Sequence, residues 1–222
     1  MFGVRFWPQV FVPATFAVLF GPWTGGIGAA IGIFISDVLY GHHDPLLSLL
    51  VGVPSNFLGF FIIGWLTNRD MAVTVKRFIL IISLLFPIAL TIYGIFLLAA
   101  PSGSSSPQFL VATIGLVAVV AILGFTVLRN RWASFQTAAS IGLGVGSVWI
   151  GLGIVGYSSL FTLPAVLGLG SGALPFTFAY GTTAFTYLSE IPFLLLLTPP
   201  IVAASRAAFP SLRGIEPAKG QQ

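Results

Sequence analysis

Cysteine is missing from all 222 residues. No disulfide framework, thiolate nucleophile or cysteine-based zinc site is therefore available. Charge is nearly missing too, at 6% of the sequence against 57% hydrophobic residues. So few ionised groups cannot coat a water-soluble globule of this size, and the chain must be solvated by lipid. Lysine occurs only as Lys76 and Lys219, both outside the apolar runs, which excludes a retinal Schiff base within a span. No Gly-rich phosphate loop, paired acidic motif or nucleophile beside a base is found, so neither an enzyme nor a bound cofactor is expected. A repeated selectivity-filter motif and a basic voltage-sensing helix are also lacking. No A-x-A cleavage pattern follows the apolar start, which Pro8 and Pro13 interrupt, and a signal peptide is not expected.

What the chain does have is apolar length. A bilayer core takes roughly 20 apolar residues per helix, and such segments run over about 6–20, 22–40, 45–66, 78–100, 108–128, 133–155 and 184–204. The alternating segments of about 10 residues that mark a membrane barrel are not seen. The expected fold is all-α, a polytopic transmembrane bundle of about six or seven helices filling one domain over 1–205, with a short polar tail over 206–222.

The net charge of +4 is spread singly or in pairs between apolar runs, so it forms no patch for nucleic acid. It sets topology instead. Arg69, Lys76, Arg77, Arg129, Arg131, Arg206, Arg213 and Lys219 fall in three connections that alternate with uncharged or acidic ones. By the positive-inside rule those three connections and the C-terminus are cytoplasmic in a multi-pass protein of the cell membrane. The His42-His43-Asp44 turn, the Ser-rich loop at 102–106 and the segment 156–183 then lie outside. For the first 40 residues two readings stand: two short spans with Met1 outside, or a re-entrant segment with Met1 inside. Residues 156–183 are apolar but broken by Pro164, Pro175 and several glycines, and are expected to form a lid over an outward cavity rather than a span.

Ionisable groups within spans each cost about 2.5–3.5 kcal/mol on insertion scales, so each requires a reason. Asp37 and Glu190 are the carboxylates in question, and Asn56, beside Ser55 and after Pro54, is the central amide. On the inferred topology Asp37 and Glu190 occupy the outer half and Asn56 its floor. Glu190 has no basic partner in any span, so it binds hydroxyls, a cation or a substrate amine, or stays protonated. Tyr157, Tyr180, Tyr187 and Trp149 gather near the same face, as an interfacial belt or as stacking partners for a planar ligand. Gln9 and Trp7 join that rim if Met1 is outside. The candidate substrate-binding set is Gln9, Asp37, Asn56, Tyr157, Tyr180, Tyr187 and Glu190. His42, His43 and Asp44 are read as a hydrated turn, because neighbouring residues diverge and no further histidine completes a metal shell. Gly28-x-x-x-Gly32 and Gly142-x-x-x-Gly146 have the spacing that lets helices pack closely, within the chain or against a partner.

The stretch Phe6 to Gly41, FWPQVFVPATFAVLFGPWTGGIGAAIGIFISDVLYG, resembles the substrate-binding S components of energy-coupling factor vitamin transporters. The resemblance lies in a proline-bearing helix ending at Gly21-Pro22, then a Gly/Ala-rich helix ending at Ser36-Asp37. The next segment, from Pro45 through Gly59 and Gly64 to Arg69, is similar to the helix that follows in that family. This resemblance implies a lipid-embedded subunit that binds a vitamin-like small molecule near its outer face and works with a T component and ATPase subunits on separate chains. A second resemblance is to membrane-associated sensor domains, through the Trp-Pro opening, the Gly-containing turn and the acidic residue before an apolar run and Pro, here Glu190 to Pro199. It implies a sensor or scaffold module acting through a partner protein.

Overall fold

Prolines and glycines set several of the helix ends. The computed structural model describes residues 6–41, 43–69, 73–98, 106–128, 132–169, 172–209 and 211–212. His42, loop residues 102–105, Arg129, Arg131 and the tail from Arg213, which includes Lys219, lie outside the described residues.

Helix α1 (Phe11–Phe20) continues a 3-10 turn over Pro8–Val10 and stops at Gly21, whose φ of 97° is readily open only to glycine. Pro22, which lacks a donor the first turn would not use, opens α2 (Pro22–Tyr40). Asp44 caps α3 (Pro45–Thr67) by accepting from the amides of Leu46 and Leu47 at 3.0 and 3.1 Å. Within α3 the backbone widens into a π-turn over Ser48–Gly52, just before Pro54. Pro54 cannot donate to the carbonyl of Leu50 one turn earlier. The indole Nε1 of Trp149 donates to that carbonyl instead, at 3.3 Å.

The remaining helices are α4 (Val73–Leu98), α5 (Ser106–Leu128), α6 (Ala133–Leu160) and α7 (Phe176–Ala208). All described regular structure is helical, and α2, α3, α6 and α7 are long and apolar enough to cross a membrane. The bundle also wears its apolar residues outward. On α2, Trp23, Ile27, Ile31, Ile35 and Leu39 recur every fourth residue and are each 47–63% exposed, a stripe that water would penalise and lipid would not.

Helices α3, α6 and α7 form the centre, with α1 wedged between α2, α3 and α7, and the α4–α5 pair packed on α6 and α7. Glycine sets the α3–α6 approach. A Cβ on Gly142 would lie 2.4 Å from the Gly59 carbonyl oxygen, and one on Gly146 would lie 3.0 Å from that of Ser55. Gly142 and Gly146 therefore serve close packing within the chain. Gly28 and Gly32 do not, since a Cβ on either meets nothing within 4 Å.

The irregular segment expected over 156–183 is shorter in the structure, covering 161–169 and 172–175 among the described residues, with one 3-10 turn at Ala165–Leu167. Its flanks are helical because they pack on each other. Thr183 donates to the Ser147 carbonyl at 3.2 Å, and Gly151 lets the Ala179 carbonyl come within 2.4 Å of where a Cβ would stand.

Candidate functional site

Polar side chains from α2, α3 and α7 meet in a cavity of about 280 Å³ at the end of the bundle that carries the 41–44 turn. Asp37 reaches it from the last turn of α2, and its backbone carbonyl accepts from the amides of Gly41 and His43, both at 3.1 Å. Its carboxylate is buried and accepts from the Ser48 hydroxyl at 2.8 Å. A Cβ on Gly52 would sit 2.8 Å from Asp37 Oδ2, so the glycine in the π-turn is what leaves room for the carboxylate. A π-turn at a polar pocket is a recurring feature of functional sites.

Asn56 lies one turn further along α3. Its Nδ2 donates to the Gly52 carbonyl at 3.0 Å and to Ser55 Oγ at 3.4 Å, and Oδ1 has no donor among the described residues. Glu190 enters from α7, roughly 21 Å along that helix from Phe176 at about 1.5 Å per residue. It is 7% exposed and makes no hydrogen bond to another described residue. Trp7 and Tyr40 add aromatic walls, and Val166 and Leu167 of the irregular segment also line the cavity. Among the described residues no Lys, Arg or His lines this cavity.

Two further cavities adjoin it through Asn56. One is a chamber of about 30 Å³ between α3, α6 and α7, reached by Asn56, Ser147, Thr186 and Glu190. The other is an apolar groove of about 520 Å³ along α1 and α2, where Gln9, Gly28 and Gly32 are found. Gln9 is thus a neighbour of the polar cavity, not part of its wall.

The tyrosines divide differently from the sequence expectation. Tyr157 packs in the apolar cluster of Leu47, Val51, Ile154 and Leu163 above the cavity, and its hydroxyl donates to Asp44 at 2.8 Å. Tyr180 donates to the Leu90 carbonyl and stands edge-on to Tyr93 at 4.6 Å, facing α4. Tyr187 is fully buried, edge-on to Phe86 at 4.8 Å, and borders a separate apolar cavity of about 640 Å³ between α4, α6 and α7. None of the three lines the polar cavity. The reason is rotational: one residue turns a helix by about 100°, so Thr186 points to the cavity and Tyr187 away from it.

His43 and Asp44 have structural work. His43 Nδ1 pairs with the Val38 carbonyl at 2.7 Å with the residue at φ 55°, and Asp44 is the α3 cap. Sequence reasoning missed Ser48, Ser147 and Thr186, three buried hydroxyls whose only signal is spacing on helices rich in such residues. No family model, curated protein or solved structure matches the chain.

Proposed function

We propose that this protein is a membrane-embedded substrate-binding subunit that takes up a vitamin-like small molecule bearing an amine or other cationic group. The observation that carries the reading is the convergence of Asp37, Asn56 and Glu190, from three helices, on one cavity with two carboxylates and, among the described residues, no basic side chain. Two buried acidic groups in a low-dielectric site favour a cation strongly. The apolar remainder of the wall, with Trp7 and Tyr40, suits a small ring system.

The direction of uptake follows from the basic residues. With Arg69 and Arg206 at the cytoplasmic end, the 41–44 turn and the 161–175 segment face outward, and the cavity fills from outside. The resemblance of Phe6–Arg69 to energy-coupling factor S components supplies the working partners, a T component and ATPase subunits on other chains. The protein itself binds and does not catalyse.

The test is a thermal-shift series on detergent-purified protein with thiamine, pyridoxamine and pyridoxine. Pyridoxamine and pyridoxine share a ring and differ in an amine against a hydroxyl. Stabilisation by a cationic compound, lost in Asp37→Asn and weakened in Asn56→Ala, is the expected result. No shift with any compound, or equal shifts with pyridoxine and pyridoxamine, contradicts the reading.

A second reading, a sensor or scaffold module, draws on the apolar lateral cavity beside Tyr187, which faces the surroundings of the bundle and suits a lipid tail or a partner helix. Affinity purification from the native host separates the two. Recovery of an ATPase and a T component favours uptake, and recovery of a kinase favours sensing.

A further inference from the structure

The small chamber beneath the polar cavity carries its own chemistry. It measures about 30 Å³, room for a species of water's size or smaller. Glu190, Thr186 and Ser147 border it and are 7%, 5% and 1% exposed. The hydroxyl oxygens of Thr186 and Ser147 are buried, and neither they nor the Glu190 carboxylate has a hydrogen-bond partner among the described residues. Asn56 borders the same chamber, with its amide nitrogen held by the Gly52 carbonyl and Ser55 Oγ and its Oδ1 without a donor among the described residues. Ser55 is itself committed, donating to the Gly52 carbonyl at 2.8 Å.

Asn56, Ser147, Thr186 and Glu190, from three helices, thus border a volume fit for a small species, and none of their free oxygens is answered by a donor among the described residues. Leaving such groups unanswered in a low-dielectric interior is unfavourable for each. One bound cation satisfies all four at once.

We infer that this chamber is a binding site for a dehydrated monovalent cation of sodium's size, liganded by Glu190, Thr186, Ser147 and Asn56. Charge selects the valence. A single carboxylate neutralises one positive charge, whereas a divalent ion would leave a net charge buried, and calcium takes six to eight oxygens. The ligands are hard oxygen donors, which suits an alkali cation and not a soft metal. Gly59, Gly142 and Gly146 line the chamber and keep α3 and α6 close enough to hold it to this size. The inference goes beyond the uptake reading, since it needs no organic substrate. It assigns Glu190 to the ion and leaves Asp37 to face the ligand above. Because Asn56, Thr186 and Glu190 border both cavities, an ion in the lower one shapes the floor of the upper one and couples the two.

The experiment titrates purified protein with sodium chloride at constant ionic strength, choline chloride making up the balance, and reads the melting temperature with no organic ligand present. The expected result is a rise of roughly 3–5 °C for every tenfold increase in sodium above its dissociation constant. Glu190→Gln abolishes the rise, Ser147→Ala shifts its midpoint about tenfold higher, and Gly28→Ala, which meets nothing within 4 Å, leaves it in place. Equilibrium binding of radioactive sodium to the wild-type chain gives a readout independent of any variant's folding. It should detect one ion per chain, displaced by unlabelled sodium and not by choline. Equal stabilisation by sodium and choline, a sodium response that survives in Glu190→Gln, or no bound radioactive sodium overturns the proposal. A pH-dependent stabilisation indifferent to sodium also overturns it, because a protonated Glu190 beside a water then explains the chamber. Loss of the organic-ligand response with the sodium response intact would instead point to failure of the uptake reading alone.

Discussion

The Tyr157 hydroxyl donates to Asp44 at 2.8 Å, joining residues 113 positions apart in the chain. The other oxygen of the same carboxylate accepts from the Leu46 and Leu47 amides. One acidic side chain therefore starts α3 and ties that start to the end of α6, directly above the polar cavity. Removing the tyrosine hydroxyl in Tyr157→Phe should cost about 1 kcal/mol. Asp44→Ala should cost more, because a helix cap worth about 1 kcal/mol is lost with it. In the Asp44→Ala background, Tyr157→Phe should add little. Thermal unfolding of the four proteins in detergent checks the cycle, and simple additivity would show that the bond contributes nothing.

Close packing at the α3–α6 crossing gives a second prediction. Gly142→Ala places a methyl 2.4 Å from the Gly59 carbonyl oxygen and 2.6 Å from Ile63 Cγ1, while Gly28→Ala and Gly32→Ala meet nothing within 4 Å. The first should destabilise by about 1–3 kcal/mol, and the other two should be within about 0.5 kcal/mol of the parent. Parallel melting curves decide it. Marked destabilisation by Gly28→Ala would mean that the α2 face has a packing partner.

Trp149 and Pro54 should be coupled. Trp149→Phe removes the donor to the Leu50 carbonyl, at a cost of about 0.6–1.7 kcal/mol for a hydrogen bond inside a membrane bundle. Pro54→Ala restores a backbone amide one turn after that carbonyl, so in its presence Trp149→Phe should cost less. An unchanged cost in the Pro54→Ala background, read from unfolding in detergent, would argue against the freed carbonyl as the reason for the contact.

The helices and the polar anchors of the site could both be read from the residues, for related reasons. Gly21-Pro22 and Asp44-Pro45 mark helix ends by backbone rules that act locally, and Asp37, Asn56 and Glu190 stand out because each interrupts an apolar run. The start of α7 at Phe176 could not be read, since Thr182 and Thr183 resemble a broken segment until Gly151 of α6 is placed against Ala179. The tyrosines failed for a similar reason. Depth along a helix follows from counting residues, but the face each side chain presents depends on packing that no single segment encodes. Ser147 and Thr186 have no local mark at all, and only the α3–α6–α7 crossing gives them a common neighbour.

Orientation is open to a direct check because the chain has no cysteine to remove. Val166→Cys should react with a membrane-impermeant maleimide on intact cells, and Arg69→Cys only after permeabilisation. The reverse pattern would turn the cavity to the cytoplasm and reverse the direction of transport.

The central claim is that the cavity reached by Asp37, Asn56 and Glu190 is selective for a cationic small molecule, with Asp37 as the carboxylate that faces it. The most direct measurement is equilibrium binding of pyridoxamine, pyridoxine and thiamine to the purified wild-type chain and to Asp37→Asn. A cationic compound bound at least tenfold more tightly than pyridoxine by the wild type, with that preference lost in Asp37→Asn, is the predicted result. Binding that ignores ligand charge, or a charge preference that survives in Asp37→Asn, would contradict it.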